Sequence, residues 1–106
     1  MKANVGQPFY VYILKCADGS YYVGHTDNLE KRILEHKDGV CHGYTYKRRP
    51  VELVFYDVTG TRHEAQEGER RIKGWSRKKK EILINYGWEA MEGICVKLDK
   101  IRFFLK

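Results

Sequence analysis

The tripeptide Ala17-Asp18-Gly19, set between two aromatic and β-branched stretches, constrains this chain more than any other feature. Phe9-Tyr-Val-Tyr-Ile-Leu-Lys15 reads as a strand and Ser20 to Gly24 as a second short one, so the pair closes a hairpin. Loop length then decides which side chains share a face, because a one-residue slip inverts a whole strand. A two-residue Asp18-Gly19 turn pairs Leu14 with Val23 and sends Tyr12 and Tyr22 to opposite faces. A three-residue loop with Gly19 left-handed at a bulge pairs Leu14 with Tyr22 and Tyr12 with Gly24. Glycine is the residue that this geometry wants third in the loop, so both tyrosines are expected on one face.

The rest of the chain supplies cover for that hairpin. Thr26 or Asp27 can cap a helix from about Asn28 to Lys37, which Gly39 can end. Val40 to Arg49 has little periodicity and reads as a basic loop, and Val51 to Val58 reads as a third strand. Thr59-Gly60-Thr61 is a turn and cap for a helix from Arg62 to Trp75, and Ser76 caps another that runs to about Asn85 and stops at Gly87. Beyond Gly87, Ile94, Val96 and Leu98 alternate like a strand, whereas Ile94, Leu98, Ile101 and Leu105 fit a helical stripe. The expected fold is α+β: a three-stranded antiparallel sheet flanked by helices, in the order β-β-α-β-α-α plus a C-terminal tail. Residues 1–8 form an N-terminal extension, 9–87 the domain, and 88–106 an extension packed on it or extending it.

At 106 residues there is room for one domain with a small core. The longest apolar run, Phe9 to Leu14, is far short of the ~20 residues of a spanning helix, which excludes a membrane partner. Met-Lys-Ala-Asn at the start lacks an apolar signal region, and Cys16, Cys41 and Cys95 form no Cys-x-x-Cys. Both features point to reduced thiols in the cytoplasm. The chain carries 20 Lys+Arg against 14 Asp+Glu, a net charge of +6, which favours a polyanionic partner.

Helical wheels sort the charged residues. Arg32 and His36 stand one turn apart, flanking the apolar stripe of Leu29 and Ile33. In the later helix Ala65, Gly68 and Ile72 make the inner stripe and Glu69 borders it, while Glu64 and Glu67 project away. A half-buried carboxylate needs a cation, which Arg32 or a metal can supply. Lys47, Arg48 and Arg49 crowd the loop, and Arg70, Arg71, Lys73, Arg77, Lys78, Lys79 and Lys80 crowd the later helices. Such residues hold a phosphate backbone or form a solvated face. Tyr44, Tyr46 and Trp75 interleave with them, and either stack on unpaired bases or, as favoured for Trp75, pack in the core.

The ordered set Tyr10-Val11-Tyr12, Tyr22-Val23-Gly24, Arg32, His36 and Ala65-x-x-x-Glu69-x-x-Ile72-Lys73 resembles the signature of the GIY-YIG nuclease family. The resemblance runs from Tyr10 to about Gly87. It is closest to the small stand-alone bacterial members, and extends to the N-terminal nuclease domain of the excinuclease subunit UvrC. Cys16-Ala-Asp-Gly-Ser20, Tyr44-Thr45 and Pro50-Val-Glu-Leu-Val54 are details of that small subgroup. Tyr10 replaces the first glycine of the signature, Val23 an isoleucine, and His25 a lysine that some members tie to catalysis. No asparagine follows Glu69 at the family's usual distance, Asn85 being too far along.

The resemblance implies a DNA endonuclease that hydrolyses phosphodiesters with one divalent ion, Mg²⁺ or Mn²⁺, in DNA repair or recombination. It implies Glu69 as metal ligand, Arg32 as phosphate clamp and Tyr12 as the group that positions or deprotonates water. Tyr22 orients, His36 takes the proton onward, and His25 is a secondary candidate. A phenol is a poor base at neutral pH unless cations lower its pKa, and Arg32 and the metal are the candidates for this. The chain is expected to act as a bare module without a separate reader, its target, branched or single-stranded DNA among others, set by DNA structure or by a protein partner. A rival reading keeps the same fold as a non-catalytic nucleic-acid-binding module. Weaker rivals are a zinc site of His36, Cys41, His42 and His25, and a thiol enzyme built on Cys16.

Overall fold

The computed structural model describes residues 8–101, with side chains to residue 90. The hairpin has the three-residue register. Strands β1 (Phe9–Lys15) and β2 (Tyr21–Thr26) pair antiparallel with Tyr12 opposite Gly24 and Leu14 opposite Tyr22. Gly19 is left-handed at φ 87°, and Cys16 and Ser20 close the loop through a 2.8 Å backbone hydrogen bond. Strand β3 (Glu52–Thr59) adds antiparallel to the other side of β1, giving the order β2-β1-β3. A register shift beside Ile13 and Leu14 places Leu53 opposite Leu14 and Tyr56 opposite Tyr12, so both point to the Tyr12 face.

The two faces take different helices. Tyr12 and Leu14 pack with Ile33 of α1 (Leu29–Asp38), together with Cys16 and Val51. The alternate residues Val11, Ile13 and Val23 point the other way. There α2 (Arg62–Lys73) covers them, with Gly68 against Val11: a Cβ on Gly68 would stand 3.1 Å from Val11 Cγ2. Ala65 and Ile72, the expected inner stripe of α2, are fully buried. Asn28 caps α1 by accepting from the Lys31 N–H, one or two residues later than Thr26 or Asp27 was expected to; the Thr26 hydroxyl instead accepts the Asn28 N–H. Gly39 ends α1 in the left-handed region, and Thr61 caps α2. The loop expected from Val40 to Arg49 contains one 3-10 turn, Tyr46–Arg48, before a cis Arg49–Pro50 peptide.

The chain groups into two compact units, the first running to Gly74 and the second beginning at Trp75. The second consists of α3 (Arg77–Ile101), started by Ser76, whose hydroxyl accepts from the Lys79 N–H. Gly87 breaks its helical geometry at φ 83°, as expected, but the backbone resumes as helix to Ile101 rather than forming a strand. Of the expected N-terminal extension only Pro8, and of the tail only the backbone to Ile101 and the first side chains, lie within the described residues. No described helix is long and apolar enough to cross a membrane.

Candidate active site

The hairpin register lays the floor of a cavity of about 280 Å³. Gly24 sits opposite Tyr12, and a Cβ there would lie 2.6 Å from the Tyr12 hydroxyl, so only glycine leaves room for the ring. Tyr12 is buried, and its hydroxyl reaches α1, where it lies 2.9 Å from Nε2 of His36. Nδ1 of His36 lies 2.8 Å from Oγ1 of Thr45. His36 is 3% exposed, and burial, reinforced by the Arg32 charge, lowers its pKa below the ordinary 6.5. The imidazole is therefore neutral at neutral pH. The phenol is the more acidic of the two hydroxyls, so Tyr12 donates to Nε2 and the Nδ1–H donates to Thr45.

Tyr12 itself is harder to ionise than a free phenol. Burial is the main cause and the Tyr22 phenol adds to it. Arg32 pulls the other way but does not by itself prevail over burial. Tyr22 shares the cavity, its ring 6.4 Å from that of Tyr12 and 5.3 Å from that of His36, and stacks on Tyr44.

Arg32 and Glu69 both line the cavity but do not pair with each other. They reach it from helices on opposite faces of the sheet, past the edge strand β2, and of the two alternatives open for Glu69, Arg32 or a metal, Arg32 is not its partner. Arg32 donates to Glu35 Oε1 at 3.3 Å and approaches Cys41 Sγ at 3.5 Å. Glu69 meets two other nitrogen groups: Oε1 lies 2.5 Å from His25 Nδ1 and Oε2 lies 2.6 Å from Lys73 Nζ. Burial alone would raise the Glu69 pKa, but the hydrogen bonds from His25 and Lys73 outweigh it and hold the carboxyl below its usual range. It is ionised at neutral pH.

All six candidate residues, Tyr12, Tyr22, His25, Arg32, His36 and Glu69, thus line one cavity. Sequence reasoning missed Thr45 as the partner of His36 and Cys41 as a neighbour of Arg32, because an aperiodic loop gives no direction for its side chains. It also placed Lys73 only among DNA contacts. Among the described residues, no three His, Cys, Asp or Glu stand together as a metal cage. The zinc reading fails accordingly: His36 is held by Tyr12 and Thr45, and His42 packs on the Tyr46 ring at 4.6 Å. The cavity's donor set does fit a hard divalent ion that keeps most of its waters. Glu69 is the one carboxylate among the described lining residues, it is ionised, and Mg²⁺ sites commonly use one or two carboxylates plus water and phosphate oxygens.

The basic residues divide. Arg48 donates to Asp18 and to the Tyr44 carbonyl and lies 3.8 Å over the Tyr44 ring; Arg49 donates to the Tyr46 carbonyl. These two brace the loop beside the cavity, with Lys47, Tyr44 and Tyr46 exposed. Arg70 pairs with Glu67, and Arg71 is exposed. In the second unit Arg77 pairs with Glu81, Lys78 is exposed, Lys80 is half-buried, and Lys79 lies over the ring of Trp75. Trp75 is half-buried and meets Trp88 edge-on.

Comparison with known proteins gives one family. The model of the GIY-YIG catalytic domain matches residues 8–82. A UPF0213 protein of Bacillus pumilus (strain SAFR-032) is 49% identical over 75 residues, covering 71% of this chain and 76% of its own. The UPF0213 protein YazA of Bacillus subtilis (strain 168) is 42% identical over 88 residues, covering 83% and 89%. The NMR structure of the protein EF2693 from E. faecalis is similar with a TM-score of 0.51 at 35% identity, covering 84% of this chain and 88% of that one.

Proposed function

This chain belongs to the GIY-YIG catalytic-domain family, and from that membership and the cavity geometry we propose that it is a metal-dependent DNA endonuclease of DNA repair or recombination. The observation that carries the reading is the convergence of Tyr12, His36, Arg32 and Glu69 on one cavity, from a central strand and from helices on both sides of the sheet. Phosphodiester hydrolysis needs a water stripped of a proton, a phosphate held in place and developing charge neutralised.

The Tyr12–His36–Thr45 chain handles the proton. Because Tyr12 directs its own proton at His36, a lone pair of its oxygen is free to accept one from water in the cavity. As water passes a proton to the Tyr12 oxygen, the phenol passes its own to the neutral His36 Nε2. No free phenolate is required, which matters because burial makes the phenolate unfavourable. Thr45 holds the imidazole in the tautomer that can accept, as an orienting group does for any histidine base. Arg32, 42% exposed on its side chain, presents its planar fork to two phosphate oxygens. Glu69 would hold the divalent ion, Mg²⁺ or Mn²⁺, which when bound neutralises charge on the phosphate. Tyr22 orients the water or a phosphate oxygen, and His25 keeps Glu69 ionised and aimed.

The basic loop and helices contribute sequence-independent affinity for the DNA backbone. Free thiols at Cys16 and Cys41 support a cytoplasmic setting. The test offers plasmid, single-stranded, flapped and branched DNA to the purified protein with Mg²⁺ or Mn²⁺. Metal-dependent cleavage is expected on at least one of them. Binding without cleavage of any would assign a nucleic-acid-binding module instead.

A further inference from the structure

Both oxygens of Glu69 already carry a nitrogen partner, the His25 ring on one and the Lys73 ammonium on the other, and the two differ in how firmly they are held. His25 projects from strand β2, and its side chain is 24% exposed. Lys73 ends α2 one turn after Glu69, and its side chain is 52% exposed on a flexible four-carbon stem. A second cavity, of about 390 Å³, opens on this side of the carboxylate and is lined by His25, Gln66, Glu69, Arg70 and Lys73. It gives the ammonium group room to withdraw and gives a hydrated ion room to approach. A lysine is a compact point charge, so with its ammonium at Oε2 it repels a divalent ion that approaches the same oxygen and competes with it by charge.

We propose that Lys73 is the resident counter-cation of Glu69 and that the divalent ion binds by displacing it from Oε2 while His25 stays on Oε1. This rests on the reading of Glu69 as the metal ligand given above. Lys73 is thereby a positioning residue: it holds Oε2 before the metal arrives, and it sets the concentration at which the metal wins. The exchange is driven by charge, since a doubly charged ion replaces a single one at an ionised oxygen. Its cost is modest, because the lysine end of the pair is half-exposed and regains water on leaving.

Direct Mn²⁺ binding tests this without any cleavage measurement. Free Mn²⁺ is followed by electron paramagnetic resonance during titration of wild type, Lys73→Met, Lys73→Gln and Glu69→Gln proteins, with circular dichroism to show that each is folded. Removing the competitor should tighten Mn²⁺ binding about threefold to fivefold in both lysine variants, the equilibrium equivalent of an exposed ion pair. Binding should be abolished in Glu69→Gln. Glu69-dependent Mn²⁺ binding whose affinity is unchanged or weakened in the lysine variants would overturn the exchange and leave the nuclease reading standing. Mn²⁺ binding that is the same in Glu69→Gln as in wild type, or absent from every protein, would overturn both.

Discussion

The hydroxyl of Tyr12 lies 2.9 Å from Nε2 of His36, and both residues are almost completely buried. The pair joins a strand to a helix 24 residues later in the chain, and in the proposed mechanism it would let a phenol that burial has made harder to ionise serve as a base. In that mechanism the imidazole is the final proton acceptor, so the pH dependence of the reaction should belong to His36.

Cleavage should therefore lose activity on acidification with a midpoint below the ordinary histidine value of 6.5, and stay level above it. The check is kcat/KM against pH, from pH 5 to 9 on a common buffer, for wild type and His36→Gln. Replacing His36 should lower the rate by about 10²-fold or more and remove the acid limb. A rate that climbs tenfold per pH unit to pH 9 would mean that a free Tyr12 phenolate acts instead.

Folding stability should follow the same group. The folded-state pKa of His36 is depressed, so the unfolded chain binds a proton more readily. Its contribution is present in full above about pH 6.5 and falls away as pH drops through the folded-state value. Urea unfolding at pH 7.5 and 5.5 should show a drop in stability in wild type that is smaller in His36→Gln. At pH 7.5, Tyr12→Phe leaves a buried imidazole nitrogen without its partner and should cost about 1–3 kcal/mol.

Gly24→Ala should damage the site from beneath. The added methyl would meet the Tyr12 hydroxyl at 2.6 Å and its ring at 2.7 Å, so Tyr12 must move off His36. A destabilisation of about 1–3 kcal/mol is expected, with cleavage falling further than stability alone explains. Thermal unfolding beside a cleavage assay, at a temperature where both proteins are folded, separates the two effects.

The hairpin was legible in the sequence because one glycine and one loop length settle its register, and register puts Tyr12 and Tyr22 on one face. The inner stripe of α2 was legible for a similar reason: Ala65, Gly68 and Ile72 repeat at helical spacing. Which cation meets Glu69 was left open between Arg32 and a metal, because a helical wheel orders side chains around one axis and says nothing about which face of the sheet that helix covers. Thr45 was not legible at all, since the loop that carries it has no period. The tail satisfied both periods, and the choice of helix to Ile101 rests on backbone hydrogen bonding that side-chain pattern does not report.

DNA affinity should depend on salt and on the basic start of α3. If Lys78, Lys79 and Lys80 each neutralise a phosphate, replacing all three with Gln should make the slope of log affinity against log salt shallower. On duplex DNA the change should be about 0.9 for each of these phosphates. Fluorescence anisotropy over a salt series reads this directly. An unchanged slope would assign these lysines to the solvated surface, with Lys79 serving only the Trp75 ring.

The most direct test of Glu69 as the metal ligand of a nuclease is cleavage by rigorously purified wild type and Glu69→Gln side by side, on the same DNA, with Mg²⁺ or Mn²⁺ and with chelator. Wild type should cleave, chelator should stop it, and a Glu69→Gln protein that is still folded should not cleave. Full cleavage by Glu69→Gln would contradict the assignment.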